Sequence, residues 1–136
     1  MKPRILAKLD ILAAAREARV QESLRRQTAI LAQGEAQREI LSAYRGRLAE
    51  SWQGGTVLPA AQARRASQFA AGAAAAAAQI EAAGAAAAAQ MQQDADALAQ
   101  INAHRRNLAE RLRAAMRAEA EAAERMAERA RPWRRP

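Results

Sequence analysis

The stretch Gln53-Gly54-Gly55-Thr56-Val57-Leu58-Pro59 decides the fold, because it is the strongest interruption in a chain that otherwise has a helical pattern throughout. Glycine permits the left-handed conformation that ends a helix, and proline suits the first turn of the next helix. We therefore expect one domain over residues 1–136. Its segments are a helix at about residues 3–52, a turn at about 53–58, a second helix at about 59–131 and a basic tail at 132–136.

The first predicted helix carries one apolar stripe. Most of the stripe residues lie three, four or seven positions apart, which is the spacing of one helix face. They are Leu6, Leu9, Leu12, Val20, Leu24, Leu31, Leu41, Tyr44, Leu48 and Trp52. Pro3 is compatible with the first turn of this helix, where its missing N–H would have no partner.

The second predicted helix carries a heptad column in its C-terminal half. Positions 91, 98, 105, 112, 119 and 126 are apolar except for Arg105 and Glu119. A seven-residue repeat sustained over this length implies left-handed coiled-coil packing against another helix.

The first helix can be that partner if the chain folds back about Gly55. In such an antiparallel hairpin, the numbers of facing residues add to about 110, and about 25 residues of the second helix project beyond the first. The predicted pairs are Leu41 with Phe69, Ile30 with Ile80, Val20 with Met91, Leu12 with Leu98 and Leu9 with Ile101. The predicted fold class is all-α, an elongated antiparallel two-helix coiled-coil hairpin with a C-terminal helix overhang.

Composition agrees with this fold class. Alanine fills 42 of the 136 positions, whereas Phe, Trp and Tyr together supply only four residues. Too few large side chains are present to surround a rounded core. The tract over residues 70–89 is nearly all alanine, and it fits either low-complexity drift in a helix or a selected thin segment.

The residues do not favour an enzyme or a metal site. Catalytic acids and bases need a pocket, which a two-helix hairpin lacks. His104 has no second ligand nearby, Asp94 and Asp96 face different directions on a helix, and no phosphate-binding loop occurs. We expect no catalytic residue, no cofactor, no metal and no small-molecule substrate. The chain also lacks cysteine, and Lys8 and Asp10 interrupt its N-terminal apolar run, which favours a cytosolic protein.

The net charge of +8 suggests an anionic partner. The arginines cluster in residues 16–26 and 105–117. They form either a contact surface or a solvated helix face with i,i+4 ion pairs, such as Arg106 with Glu110 and Arg117 with Glu121. No aromatic residue is interleaved among them, so we do not expect specific nucleic-acid binding, although non-specific phosphate binding stays open. Phe69 is either a core residue or an exposed anchor for a partner.

Several segments together resemble the FliJ-type general chaperone and stalk of the flagellar export apparatus, including its relatives in virulence type III secretion. The resemblance lies in Leu9-Asp10-Ile11-Leu12-Ala13 with Arg16-Glu17, in Leu41-Ser42-Ala43-Tyr44-Arg45 before the turn, in Gln68-Phe69 after it, and in the Glu/Arg-rich C-terminal helix. It covers most of the chain.

The resemblance implies a cytoplasmic stalk, peripherally associated with the inner face of the membrane, that binds the export ATPase ring. Such a stalk promotes the ATPase hexamer and couples it to the membrane export gate. Export chaperones are a further candidate partner. Ring contact would involve the paired termini, here Arg16, Arg19, Arg105, Arg106, Leu112 and Arg113. Gate contact would involve Phe69, Ala73, Ala76 and Ile80.

A second hypothesis is a basic amphipathic helical protein that binds an anionic surface, such as nucleic acid, lipid or a polymer granule. A protein that coats a surface needs a broad apolar face with bulky residues. The stripe in this chain is narrow and diluted by alanine, so we place this hypothesis second.

Overall fold

The computed structural model describes residues 1–53 and 59–132, and it describes residues 52 and 53 by their backbone alone. The chain forms two long helices, α1 (Pro3–Gln53) and α2 (Ala60–Ala130), and the described residues include no strand. Both helices begin and end within one residue of their predicted bounds. The predicted turn and tail lie almost entirely outside the described residues.

Proline marks both helix starts, as predicted. At the start of α1, the carbonyl of Lys2 accepts hydrogen bonds from the N–H groups of Ile5 and Leu6 at 3.0 and 3.3 Å. The carbonyl of Pro59 accepts equivalent bonds at the start of α2. At the other end of α2, Pro132 restricts the residue before it to extended conformations, which explains why the helix stops at Ala130.

The chain divides into two compact units. The terminal unit contains Met1–Gln21 and Ala95–Pro136, and the inner unit contains Glu22–Asp94. Each unit pairs a segment of α1 with an antiparallel segment of α2. The prediction of an all-α helical hairpin is therefore confirmed.

The core of the terminal unit is a narrow seam. Its buried residues are Leu6 and Ala13 of α1 and Ile101 and Leu108 of α2. Within each helix, the two buried residues are seven positions apart. The predicted column from residue 98 through Arg105 to residue 112 lies half-buried beside them. Its last two positions, 119 and 126, are exposed, because α1 does not extend far enough to cover them.

The core of the inner unit consists of small residues. Ala73 and Ala87 are buried, and Ile80 lies half-buried between them, again at seven-residue spacing. The alanine tract over residues 70–89 is helical throughout. Small residues let the helices approach closely: a Cβ atom added to Gly34 would lie 3.3 Å from Cγ2 of Ile80. Such a seam buries little apolar area per residue, so each alanine stabilises it less than a leucine would.

The register differs from the predicted one. The numbers of facing residues add to about 115 rather than 110, as for Tyr44 with Phe69 in the inner unit and Asp10 with Arg105 in the terminal unit. The predicted pairing of Leu12 with Leu98 is wrong, because Leu12 is 62% exposed and Ala13 takes the seam position. Apolar residues are too sparse here to select one register, and the polar pairs select it instead.

The register change also shortens the predicted overhang. Ala115 is the last half-buried residue of α2, and residues 116–130 are all exposed. We use the name overhang for residues 116–130. It has about 15 residues rather than the predicted 25, because the start of α1 lies nearer to the end of α2.

Candidate interaction surfaces

The six residues predicted to contact an ATPase ring all lie in the terminal unit. Arg16, Arg19, Arg106 and Arg113 are exposed. Arg105 and Leu112 are half-buried where α1 and α2 meet. Four of the six side chains are therefore accessible to a partner, and the other two help to hold the helices together.

Arg105 links the two helices of the terminal unit through two carboxylates. Its Nε donates to Oδ1 of Asp10 at 2.9 Å, and its Nη1 donates to Oε2 of Glu17 at 2.5 Å. The hydrogen bond from Arg105 lowers the pKa of the Asp10 carboxyl below its ordinary value. The bonds to Asp10 and Glu17 in turn raise the pKa of Arg105, so the guanidinium stays charged.

The sequence analysis placed Arg105 on a contact surface for a partner. It did not predict that Arg105 links the two helices. The signal was present, because Arg105 occupies the heptad column between Leu98 and Leu112. A charged residue in such a column either weakens the seam or pairs across it. Asp10 is one of the partners it finds across the seam.

The four residues predicted to contact an export gate lie in the inner unit, around two open grooves. Phe69, Ala73 and Ala76 line a groove of about 570 Å³ together with Leu41 and Gly72. A second groove of about 450 Å³ shares Leu41 and Ala76 with the first, and it also includes Ile40 and Ile80. The two grooves form one apolar surface, which we call the inner groove. Its polar border consists of Gln37, Arg65, Gln68 and Gln79.

Phe69 has features of both predicted alternatives, a core residue and an exposed anchor for a partner. Its ring stacks on Tyr44, with centroids 4.8 Å apart and planes inclined by 28°, yet the residue is 55% exposed. One part of the ring therefore contacts α1 while the rest faces solvent. Ala73, in contrast, is buried and forms the floor of the groove.

Ile40 belongs to this surface, although the sequence did not single it out. It is 68% exposed, and it adjoins Leu41 of the seam. An apolar residue directly beside a seam residue and outside the heptad spacing is the signal that could have found it.

A buried polar cluster lies at one end of the inner unit. Asp94 is only 5% exposed; its Oδ2 accepts a hydrogen bond from Ser23 Oγ at 2.6 Å, and its Oδ1 accepts one from Gln90 Nε2 at 3.0 Å. Asp96 is exposed, so the two aspartates face different directions as predicted. Both oxygens of Asp94 are occupied by structural donors. This cluster is therefore a polar layer of the seam, of the kind that specifies register in coiled coils.

The arginine pairs differ from the predicted ones. Glu121, the predicted partner of Arg117, lies 3.9 Å from Arg125. In the basic stretch of α1, Glu22 pairs with both Arg25 and Arg26. These are exposed i,i+3 and i,i+4 pairs, which contribute little to stability.

Two further features are absent from the part of the chain that the structure describes. No group of three or more His, Cys, Asp or Glu side chains there is placed to hold a metal ion. Neither α1 nor α2 contains a stretch apolar enough to cross a bilayer.

Comparison with known proteins gives no matching family model, no similar curated protein and no similar solved structure. The assignment of a function to this chain therefore depends on its own residues and geometry.

Proposed function

We propose that this protein is a non-catalytic stalk and chaperone component of a flagellar or related type III protein export apparatus. In this role it binds the export ATPase ring, promotes the ATPase hexamer and couples it to the membrane export gate from the cytoplasmic side. The observation that carries the proposal is the antiparallel pairing of α1 and α2, with the two chain termini in one unit and α2 extending beyond α1. This arrangement suits a stalk that inserts its termini into a ring.

The terminal unit supplies a basic surface for the ring. Arg16, Arg19, Arg106 and Arg113 are exposed, and no acidic side chain of the described residues lies within ion-pair distance of them. Unpaired cations of this kind favour an anionic partner and accelerate its association. An acidic ring lumen is such a partner.

The inner groove supplies an apolar surface for the gate. Phe69 is the natural anchor, because buried aromatic side chains contribute most to protein interfaces and this ring is already held on one side by Tyr44. Ile40 and Ile80 extend the apolar surface along the groove.

A pull-down with the cognate export ATPase, together with an ATPase assay that follows hexamer formation, tests the ring contact. Reversing Arg16, Arg19, Arg106 and Arg113 to Glu should abolish binding and stimulation. The matched control reverses four exposed arginines of the inner unit, Arg38, Arg45, Arg47 and Arg64, and it should retain both. Equal losses in the two variants, or no binding by the unchanged chain, would contradict the proposal.

The gate contact is tested separately, with the cytoplasmic domain of the gate protein. Phe69→Ala should weaken gate binding at least tenfold and leave ATPase binding unchanged. Ile11→Ala is a suitable control, since Ile11 is an exposed apolar residue of the terminal unit. If Phe69→Ala binds the gate as tightly as the unchanged chain, the inner groove is not the gate surface.

The same unpaired arginines favour a second candidate, binding to an anionic surface. Co-sedimentation with DNA and with anionic liposomes at physiological salt separates the two candidates. Strong binding that falls steeply with added salt, together with no effect on the ATPase, would favour the second one.

A further inference from the structure

Two segments of the chain carry the same chemical motif, a pair of arginines two and three residues before a hydroxyl side chain. They are Arg25-Arg26-Gln27-Thr28 in α1 and Arg64-Arg65-Ala66-Ser67 in α2. Serine/threonine kinases of the basophilic class recognise this motif, because acidic side chains of the kinase pair with the two guanidinium groups. The motif alone does not distinguish the two segments, but their surroundings in the fold do.

The fold closes the segment around Thr28. Its hydroxyl donates a hydrogen bond to the carbonyl of Leu24 at 2.8 Å. Arg25 and Arg26 both pair with Glu22, at N–O distances of 3.3 and 3.7 Å. The acceptor hydroxyl and the two guanidinium groups therefore already have partners within α1. The segment also lies in the middle of α1, so no helix end is available there for local opening.

The fold leaves the segment around Ser67 open. Ser67, Arg64 and Arg65 are all exposed. Neither arginine lies within ion-pair distance of an acidic side chain in the described residues. The hydroxyl of Ser67 makes no hydrogen bond to any other described residue. The three groups that a kinase would contact are therefore accessible.

The helix around Ser67 also opens at low cost. A kinase binds the residues around its acceptor in an extended conformation, so this part of α2 must unwind locally. Ser67 lies about two turns from the start of α2 at Ala60. Over residues 60–68 only Ala63 and Ala66 are half-buried, and each buries little apolar area. A helix end with so few buried contacts opens at a small fraction of the global free energy of unfolding.

We propose that Ser67 is a phosphorylation site for a basophilic serine/threonine kinase, and that the fold protects Thr28 from the same reaction. The Oγ atom of Ser67 attacks the γ-phosphorus of ATP, and a new O–P bond forms. The bond between the γ-phosphorus and the oxygen that bridges it to the β-phosphorus breaks, and ADP leaves with the electron pair of that bond. The proton of the hydroxyl passes to the catalytic aspartate of the kinase. ATP and the kinase are the only co-reactants.

Phosphorylation changes the charge at the start of α2. Arg64 and Arg65 are the only charged residues over 60–72, so this segment is cationic. A phosphoserine carries a charge of about −1.5 to −2 at pH 7, which cancels most or all of the positive charge of the two arginines. Arg64 lies three positions before Ser67, which is the spacing of ion-pair partners on one helix face. Arg65 borders the inner groove, so the modification also changes the charge beside that surface.

Incubation of the full chain with γ-labelled ATP and a purified basophilic kinase, the catalytic subunit of a cyclic-AMP-dependent protein kinase, tests the proposal. The unchanged chain should take up one phosphate, and peptide mass spectrometry should locate it on Ser67. Ser67→Ala should lower the rate of incorporation at least tenfold. The double variant Arg64→Gln with Arg65→Gln should have a similar effect, because the kinase loses both guanidinium contacts. The same double change at Arg25 and Arg26 should leave the rate unchanged.

A matched variant separates the effect of the fold from that of the motif. Thr28→Ser combined with Ser67→Ala places the same acceptor hydroxyl in the other segment, and this chain should incorporate phosphate at less than a tenth of the rate of the unchanged chain. Equal rates, no incorporation into the unchanged chain, or a phosphate on a residue other than Ser67 would overturn the proposal. All substituted residues are exposed, and circular dichroism verifies that each variant is folded. No export ATPase or gate protein is present in these experiments, so their outcome is independent of the proposed function.

Discussion

Arg105 shows how one charged residue can organise an alanine-rich seam. Where leucines are few, several registers bury nearly the same apolar area, and a directional contact separates them. Arg105 makes two such contacts, to Asp10 and Glu17. A slip of one heptad would remove both, so these contacts specify the register of the terminal unit.

The pKa of Asp10 makes this contact sensitive to acid. Because the folded-state pKa lies below the unfolded value of about 4, Asp10 stabilises the fold above pH 4 and loses this effect as the pH falls through its folded-state pKa. Asp10→Asn should therefore lower the Tm at pH 7 and make little difference at about pH 2. Thermal melts of both proteins across this range test the prediction. A Tm difference that stays constant with pH would contradict it.

The buried carboxylate of Asp94 depends on Ser23 for one of its hydrogen bonds. Ser23→Ala leaves that oxygen without its donor in a buried site, which should cost about 1–3 kcal/mol in the free energy of unfolding. The double variant Ser23→Ala with Asp94→Leu should recover most of the loss, because an apolar layer replaces the polar one. Urea unfolding measures both values. If the double variant is less stable than Ser23→Ala alone, the layer stabilises the seam in a different way.

At the scale of helices, the glycines report how tightly the seam is packed. A Cβ atom on Gly84 would lie 3.7 Å from Cδ2 of Leu31, which is ordinary van der Waals contact. Gly84→Ala should therefore stabilise the protein by about 1 kcal/mol through helix propensity, and slightly more through burial.

Two other glycines serve as controls for Gly84→Ala. Gly46 faces open space, so Gly46→Ala should gain only the propensity contribution of about 1 kcal/mol. The added atom in Gly34→Ala would approach Cγ2 of Ile80 to 3.3 Å, so this variant should gain least. Urea unfolding should rank them Gly84, Gly46 and Gly34, and the reverse order would contradict the described packing.

Helix boundaries and helix register differ in how far the sequence determines them. The boundaries follow from local signals, such as Pro3, Pro59 and Pro132, and these predict the helices to within a residue. The register depends on contacts between distant residues. In a seam of alanines, several registers match apolar residues across the two helices about equally well. The polar pairs Asp10–Arg105 and Ser23–Asp94 select one of these registers.

The candidate surfaces were partly predictable, because the spacing of residues within one helix is a local signal and the register between the helices is not. Phe69, Ala76 and Ile80 could be placed on one face of α2 from their spacing alone, and they do line the inner groove. Spacing alone could not predict that Ile40 and Leu41 of α1 line the same groove, because their position opposite α2 depends on the register. The export role itself was inferred from a resemblance, and it stays a proposal.

At the scale of the whole chain, α2 is longer than α1, and its last 15 residues are exposed. Residues 116–130 are all exposed, although Ala118 and Glu119 line a groove with the start of α1, whereas Leu108 is buried and Leu112 is half-buried in the terminal unit. The length beyond residue 115 is therefore available for binding, and its removal should separate binding from folding.

Two truncations test this separation. A chain that ends after residue 115 should keep the Tm of the full chain, because it loses only exposed residues. A chain that ends after residue 107 also loses Leu108 and Leu112, which uncovers Leu6, and it should be less stable by at least about 3 kcal/mol. Thermal and urea unfolding of the three chains provide the comparison. If the cut after residue 115 destabilises as strongly as the cut after residue 107, the overhang contributes to the folded hairpin, and its residues have a partner within the same chain.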